Sequence, residues 1–285
     1  MHELIIFRLK HVKGIGNIGR LKLLDYLLEN PVDFSFEDMI KVANVTQQFQ
    51  ERFINSFKES QCITEYDLEL FKESYGFMTF LDEDYPKLLS EIYNPPIALF
   101  YQGNKELLKT NMLAVIGSRQ QTEFGRQMIE EIVPNLVEQS WTIVSGLAKG
   151  NDTYAHKLAI RSQGNTIGVL GFGLNKVYPK ENVRLQDYMS EKQLLVTEYL
   201  PNEAPLAYHF PERNRIIAGL SSGTLVIEAK RKSGTFITAQ LALEEGRSVF
   251  AIPNNPLNKA SEGCLSLIQE GAKCTTQYLD ILEEL

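Results

Sequence analysis

The sequence predicts an α/β protein with a small all-helical region followed by a doubly wound, mostly parallel sheet. From about Asn111 onward, short β-branched runs alternate with helical runs, which is the order of βαβ units. The strand runs are apolar at nearly every position, as expected for strands buried on both faces of a sheet. Before residue 75, helical patterns follow one another with no strand between them.

With 285 residues, the chain is long enough for two domains. We expect a helical domain at residues 1–75, a connector at residues 76–110 and a sheet domain at residues 111–285. The connector, "YGFMTFLDEDYPKLLSEIYNPPIALFYQGN", is rich in proline and should carry one or two short strands.

The N-terminal stretch "KGIGNIGRLKLLDYLL" contains a G-x-G-x-x-G pattern, from Gly14 to Gly19. That pattern indicates a dinucleotide-binding loop only when a strand precedes it and a βαβ unit contains it. Here the preceding "ELIIFRLKHV" has helical spacing, and Ser35 with Asp38 forms a capping box for a further helix. The stretch fits a helix–hairpin–helix, which either contacts a nucleic-acid backbone or only packs.

Composition excludes several classes of protein. No apolar run approaches the roughly 20 residues of a membrane span, and the N-terminus lacks a signal-peptide pattern. Three cysteines without a C-x-x-C spacing fit a reducing cytoplasm, and four histidines without metal-ligand spacing argue against metal catalysis. We therefore expect a cytoplasmic protein with no metal and no cofactor. The net charge of −7 weighs only mildly against nucleic acid, because binding requires just a local basic patch.

The sheet domain contains seven predicted strands, which in chain order are MLAVIG, WTIVSG, TIGVLGFG, LLVTEY, GTLVIEA, SVFAIP and AKCTT. The predicted helices are TEFGRQMIEEIV, residues 152–162, VRLQDYM, RNRIIAGL, TFITAQLALEEG, SEGCLSLIQEG and QYLDILEEL. Thr122 is placed to cap the first of these helices, and Gly246 to end the fifth. Pro134 predicts a kink or an end in the first helix.

Small residues follow several strands, each next to the start of a helix. Parallel strands end at one edge of a sheet, and free N–H groups at helix starts there attract anions. The candidate residues at these strand ends are Gly117, Ser118, Arg119, Ser145, Gly146, Lys149, Gly150, Ser233, Gly234 and Thr235, with Gly171–Gly173 at a further tip. Several such tips on one edge predict an anion-binding groove.

Cationic residues accompany these tips. They are Arg119, Lys149, Lys180, Arg184, Arg213 and Arg215, with Asn214 between the last two, and the run Lys230–Lys232. Guanidinium and ammonium groups pair well with phosphates, so the loops predict a surface for a polyanion.

No residue pattern predicts catalysis. We interpret Asp152 as a first-turn acid beside an N-cap-like Asn151, and His156 as a packed helix residue. Glu228 ends an apolar strand and could be a buried carboxylate paired with one of the arginines. Ser145 and Ser233 have no paired base in the sequence, and no catalytic residue is expected.

Seven motifs occur in a fixed order: AVIGSR, IVSGLAKGNDTYAH, YPKEN, HFPERNRIIAGLS, VIEAKRKSGTFITAQLALEEGR, VFAIPN and SEGCLSLIQEGAK. The set closely resembles the DNA processing protein A family, DprA or Smf, over nearly the whole chain. The resemblance implies an extended Rossmann domain behind a SAM-like or helix–hairpin–helix domain. It also implies sequence-independent binding of single-stranded DNA, protection of incoming DNA in natural transformation, loading of the RecA recombinase, and a homodimer.

Carried over by motif, Arg119 and Lys180 would be the main cations on the DNA backbone. Further candidates are Gly146, Lys149, Arg213, Asn214 and Arg215, and the apolar candidates for a dimer contact are Leu265, Leu267 and Ile268. Two positions depart from the family pattern: Asn151 stands where isoleucine is usual, and Asn254 follows Pro253 where glycine is usual.

Two other functions remain open. One is a nucleotide phosphoribohydrolase of the same superfamily, whose P-G-G-x-G-T-x-x-E signature carries an essential Glu, but this chain has Thr238 at that position. The other is a sensor of a small nucleotide. Phe172, Tyr178 and Phe210 lie near the predicted groove and either stack on bases or belong to the core.

Overall fold

The structure is a computed structural model that describes residues 2–30, 34–258 and 262–285. Its contacts divide the chain into two compact units. The smaller unit consists of Met1–Tyr85 with Asn94–Phe100, and the larger of Pro86–Tyr93 with Tyr101–Leu285. Residues 76–110, expected to form a connector, are thus shared between the two units.

Helix follows helix in the smaller unit, as predicted. The helices are α1 (His2–His11), α2 (Asn17–Glu29), α3 (Phe36–Val42), α4 (Gln50–Ser60) and α5 (Glu65–Lys72), and the strand β1 (Gly76–Thr79) follows. The glycine pattern therefore joins α1 to α2 and has no strand before it, so the dinucleotide-loop interpretation fails. Gly14 has a φ of +82°, which a side chain rarely adopts, and Gly16 is the N-cap of α2.

The helical core of this unit is aromatic and aliphatic. Phe53, Leu23 and Ile6 are fully buried. Ser35 caps α3 by accepting a hydrogen bond of 3.0 Å from the Asp38 N–H, which is the N-cap half of the predicted capping box, and its hydroxyl donates to Asp38 Oδ2 at 2.6 Å. Two further elements fall within residues 76–110, the short helix α6 (Lys87–Ser90) and the strand β2 (Ala98–Gly103).

All seven predicted strands of the sheet domain are present. They are β3 (Met112–Ile116), β4 (Thr142–Ser145), β5 (Thr166–Leu170), β6 (Leu194–Thr197), β7 (Gly223–Val226), β8 (Ser248–Ala251) and β9 (Lys273–Cys274). Within the larger unit they lie in the order β6-β5-β4-β3-β7-β8-β9, and every neighbouring pair is parallel. The chain thus builds outward from β3 to β6 and then crosses to the other side of β3, so the strand order reverses between β3 and β7.

Helices connect these strands, and one further helix follows β9. They are α7 (Glu123–Glu138), α8 (Asn151–Arg161), α9 (Val183–Lys192), α10 (His209–Leu220), α11 (Gly234–Glu244), α12 (Glu262–Gln269) and α13 (Leu279–Leu282). Thr122 caps α7 as predicted, accepting from the Gly125 N–H at 3.1 Å. Pro134 does not end α7, which continues to Glu138. Val133 and Leu136 are fully buried beside it, and this packing offsets the hydrogen bond that proline cannot make.

The sheet is the centre of the larger unit's core. Strands β3 to β7 are buried along their whole length, which explains their continuous apolar runs. On one face, α7 and α8 pack fully buried side chains such as Ile129, Ile132 and Ala155 against Val115 and Ile143. None of the described helices is long and apolar enough to cross a membrane.

Candidate nucleic-acid interface

The tips of β3, β4 and β5 meet at one edge of the sheet because these strands are parallel neighbours. A cavity of about 70 Å³ opens at this edge. We call it the tip cavity, and its lining residues are Arg119, Gly146, Leu147, Ala148, Lys149, Tyr178, Pro179, Phe210 and Arg213. Four of the predicted site residues, Arg119, Gly146, Lys149 and Arg213, are thus brought together in its wall.

Two guanidinium groups lie over the Phe210 ring. The Cζ atoms of Arg119 and Arg213 each lie 6.0 Å from its centroid, a cation–π distance. The Tyr178 ring lies 5.3 Å from the same centroid and is 42% exposed, while Phe172 behind it is buried. Of the three aromatic candidates, Phe172 therefore belongs to the core, and Tyr178 and Phe210 line the cavity.

Exposed cations lie in the cavity wall, at Lys149, and on the segment that follows Pro179. Lys149 Nζ is 2.5 Å from Glu181 Oε1, and both side chains are more than half exposed. The hydrogen bond from Lys149 lowers the pKa of the Glu181 carboxyl. Lys180 and Arg184 are also exposed, on the segment that follows Pro179. Of these three predicted cations, the structure brings Lys149 into the cavity wall, but not Lys180 or Arg184.

Arg213 is buried and serves the framework of the site. It donates from Nη1 to the Gly146 carbonyl at 2.7 Å and to the Val169 carbonyl, and so joins the tips of β4 and β5. Burial lowers the pKa of this guanidinium to about 10, opposed by the nearby Asp152 carboxylate. The guanidinium therefore stays charged at neutral pH, and it lies over the Phe210 ring.

Arg215 lies outside the tip cavity. Its guanidinium forms a buried bidentate ion pair with Glu198, with N–O distances of 2.6 and 2.8 Å. Asn214 accepts a hydrogen bond of 3.2 Å from Arg213 Nε. The expected Arg213/Arg215 pair is therefore split, since one arginine faces the cavity and the other holds Glu198.

Asp152 has a larger structural role than a first-turn acid. Its carboxylate accepts from the backbone N–H of Gly117 at 3.3 Å and of Gly146 at 3.2 Å. Burial raises the pKa of this carboxyl, and the charge of Arg213 opposes the rise.

The start of α8 differs from the predicted one by one residue. Gly150, with a φ of +80°, is the N-cap, and Asn151, expected to be N-cap-like, is the first residue of the helix.

Glu228 is fully buried, as predicted. The expectation that it pairs with an arginine is wrong, because no arginine contacts its carboxylate in the described part of the chain. Its carboxylate instead accepts from Thr122 Oγ1 at 2.5 Å, Thr122 N at 3.2 Å and Asn151 Nδ2 at 3.0 Å. Three neutral donors thus satisfy the buried carboxylate.

The other polar residues considered for catalysis are structural. Ser145 is fully buried and donates to the Val115 carbonyl at 2.6 Å. His156 is buried, with Nδ1 2.6 Å from Thr166 Oγ1, and burial lowers its pKa to about 3. The interpretation of His156 as a packed helix residue is confirmed. Within the described ranges, no cluster of three or more His, Cys, Asp or Glu side chains could hold a metal ion.

The predicted tip at residues 233–235 lies at the start of α11, after β7. Ser233 caps this helix, and Thr235 Oγ1 donates to the Gly117 carbonyl at 2.9 Å. Ser233, Gly234 and Thr235 do not line the tip cavity. Thr238, at the position of the phosphoribohydrolase glutamate, is buried and donates to the Gly234 carbonyl. That arrangement supplies no acid at this position.

The dimer candidates on α12 differ in exposure. Leu267 is fully buried in the core of its own chain, so its side chain offers no surface. Leu265 and Ile268 are half-buried.

Asn182 is a site residue that the sequence reasoning missed. Its Nδ2 donates to the Leu147 carbonyl at 2.8 Å and to Thr153 Oγ1 at 2.7 Å, which joins the segment after Pro179 to the β4 tip. Leu147 has a φ of +51°, rare for a bulky residue, so these bonds hold a strained turn. Its place at the end of the "YPKEN" motif is the one feature of the sequence that could have pointed to Asn182.

Comparison with known proteins agrees with this geometry. The family model described as DNA recombination-mediator protein A matches residues 76–285. The DNA processing protein DprA of Streptococcus pneumoniae is 45% identical over 283 residues, covering 98% of this chain and 96% of the relative. The chain belongs to the DprA/Smf family. Its Bacillus subtilis member is 43% identical over 204 residues, covering 71% of this chain and 69% of the relative.

Solved structures of the family share the fold. The crystal structure of DprA from Streptococcus pneumoniae superposes with a TM-score of 0.88 at 43% identity, covering 98% of this chain and 96% of that one. DprA from Helicobacter pylori, whose structure is described for its single-stranded DNA binding mode, superposes with a TM-score of 0.66 at 28% identity, covering 74% of this chain and 94% of that one. The mixed α/β architecture with a large parallel sheet is thus a DprA/Smf fold.

Proposed function

We propose that this chain binds single-stranded DNA at the tip cavity, without sequence preference, and that it acts without catalysing a reaction. The observation that carries the proposal is the lining of the cavity. It combines exposed cations, backbone groups of glycine-containing tips and aromatic rings, and none of its residues is Asn, Gln, Asp or Glu. Such a surface can hold phosphates and stack on bases, but its lining has no carboxylate or amide side chain to read the edges of adenine or cytosine.

The size of the cavity favours a strand over a free nucleotide. At about 70 Å³, it is well below the roughly 300–1,000 Å³ of typical small-molecule pockets. Lys180 and Arg184 do not line the cavity, but both are exposed on the segment that follows Pro179, which does. A ligand with one phosphate would leave these cations unused, whereas a strand would contact them with successive phosphates.

The further roles of the family extend this proposal. We infer that the bound strand is protected and passed to a recombinase of the RecA class, in line with the recombination-mediator description of the matching family. Binding by phosphate contacts leaves base edges accessible, which such a transfer requires. We also infer a cytoplasmic homodimer, with Leu265 and Ile268 on α12 as candidate contacts.

Fluorescence anisotropy tests the binding proposal. Labelled oligothymidylates of increasing length are titrated with the full chain at low and high salt, with thymidine monophosphate as competitor. Affinity should rise with length, fall steeply with salt and be equal for mixed-sequence strands. Tight binding of the monophosphate with no gain from length would instead indicate a small-nucleotide sensor.

Two further measurements address the partners. Assembly of RecA on strands coated with single-strand-binding protein should be faster when the chain is present. Light scattering should give twice the mass of one chain, and Ile268→Arg should reduce it to that of a monomer. An unchanged assembly rate would exclude the mediator role, and a monomeric wild type would exclude the dimer.

A further inference from the structure

Two buried carboxylates contact the ends of the same two loops. The tip loops are residues 117–122, after β3, and residues 146–151, after β4. Asp152 accepts from the first N–H of each loop, at Gly117 and Gly146. Glu228 accepts from the last residue of each loop, Thr122 and Asn151. Each loop is thus held at its start by one carboxylate and at its end by the other.

We propose that Glu228 is a positioning residue for DNA binding, because it fixes the ends of both tip loops relative to each other. This proposal rests on the proposed function, since the loops carry Arg119 and Lys149 into the tip cavity. Glu228 itself lies outside the cavity lining and is fully buried. Its effect on the DNA therefore passes through the loops.

Glycines leave the space that the Glu228 carboxylate and its partners occupy. A Cβ on Gly125 would lie 2.3 Å from Glu228 Oε2, so the first turn of α7 accepts the carboxylate only because this residue is glycine. A Cβ on Gly117 would lie 2.5 Å from Asn151 Nδ2. Two glycines thus leave the space in which Thr122, Asn151 and Glu228 meet.

The bridge from Glu228 to the second loop is made by the side chain of Asn151. An aliphatic side chain at this position could not donate a hydrogen bond. Asn151 is fully buried, and its Oδ1 has no hydrogen-bond partner in the described part of the chain. The side-chain amide of Asn151 is therefore held through its Nδ2 group, which donates to Glu228.

Hydrogen–deuterium exchange of the full chain without DNA tests the positioning directly. Glu228→Ala should accelerate exchange in both tip loops, Thr122→Val in residues 117–122 only, and Asn151→Ala in residues 146–151 only. Ile227→Ala is the matched control, because it removes a fully buried side chain next to Glu228 and leaves these hydrogen bonds intact. It should not accelerate the two loops selectively.

Binding to an oligothymidylate gives the second readout. We expect Glu228→Ala to weaken binding about tenfold and to reduce the salt dependence, while Ile227→Ala stays within about twofold of the wild type. Glu228→Gln should restore most of the affinity, since its oxygen can accept from Thr122 and its amide can donate to a rotated Asn151 Oδ1.

The outcomes separate the two proposals. Unchanged exchange in both loops of Glu228→Ala, or equal acceleration in Ile227→Ala, overturns the positioning role. If Glu228→Ala does not fold, the loop-specific pattern of Thr122→Val and Asn151→Ala decides in its place. A wild-type chain that does not bind the oligonucleotide overturns the proposed function, and the exchange pattern still decides the positioning role.

Discussion

Arg119 and Arg213 lie over one aromatic ring, each with its Cζ 6.0 Å from the Phe210 centroid. The two arginines nevertheless differ in what surrounds them. Arg119 is exposed, whereas Arg213 is buried and donates to the carbonyls of two strand tips. One ring thus contacts two arginines with different roles. Arg119 is available to a ligand, and Arg213 holds the tips of β4 and β5 together.

Arg119→Ala should weaken binding of single-stranded DNA about tenfold for every sequence tested. The loss corresponds to about 1.5 kcal/mol for a hydrogen bond to a charged group. The slope of log affinity against log salt should become shallower by about 0.7, the value for one phosphate of a single strand. Anisotropy titrations over a range of salt concentrations measure both quantities.

The matched control for Arg119 is Arg126→Ala. Arg126 is an exposed arginine on α7 with a 3.3 Å ion pair to Glu130, outside the cavity lining. Its removal should leave affinity and slope unchanged. If both variants lost affinity equally, the contribution of Arg119 would be general electrostatics instead of a contact in the tip cavity.

Arg213→Met should act mainly on stability. It leaves the Gly146 and Val169 carbonyls without their donor and the buried Asp152 carboxylate without its cation, which costs about 3 kcal/mol or more. Urea unfolding measures this loss. Arg119→Ala, an exposed change, should cost about 0.5 kcal/mol or less in the same assay. Equal losses for the two variants would contradict the division of roles.

The sequence could predict the fold because each element carries a strong local pattern. The strand runs from β3 to β9 are apolar and β-branched, and Thr122 and Ser35 occupy capping positions that the structure confirms. Pro134 is the exception. Its local preference predicts an end, but burial of Val133 and Leu136 carries α7 four residues further.

Site residues were harder to assign because residue type and strand-end position do not reveal which way a side chain faces. Arg213 and Arg215 are two positions apart on α10, and this separation sends one toward the tip cavity and the other to Glu198. Glu228 and Asp152 are recognisable as acids near strand ends. Their hydrogen-bond partners come from loops as many as 106 residues away, which no local pattern indicates.

Phe210→Ala should reduce affinity for normal strands through lost base stacking, which is worth about 1–3 kcal/mol per base. The salt slope should stay near the wild-type value because no phosphate contact is removed. An abasic oligonucleotide provides the control. The wild type should bind it more weakly than the normal strand, and Phe210→Ala should bind the two about equally. A variant that still prefers the normal strand by the wild-type factor would exclude stacking at this ring.

Stability should fall as the pH falls below about 6.5, because His156 is buried in its neutral form. Burial lowers its pKa to about 3 from the ordinary 6.5, so the unfolded chain binds more protons between these values. The free energy of unfolding then rises with pH in this window, and the group's contribution is lost as the pH falls toward 3. From these two values, His156 alone should cost about 2 kcal/mol between pH 7.5 and pH 5.

Urea unfolding at pH 7.5 and pH 5 measures this loss, and His156→Asn isolates it. Asparagine can keep the hydrogen bond to Thr166 Oγ1 that His156 Nδ1 makes, but it does not titrate. The variant should therefore be less stable than the wild type at pH 7.5 and lose about 2 kcal/mol less on going to pH 5. His2→Asn, a change at an exposed histidine, should retain the wild-type pH dependence. If His156→Asn showed the full wild-type loss, the acid sensitivity would have to come from other groups, and His156 would not be held neutral by its burial against Thr166.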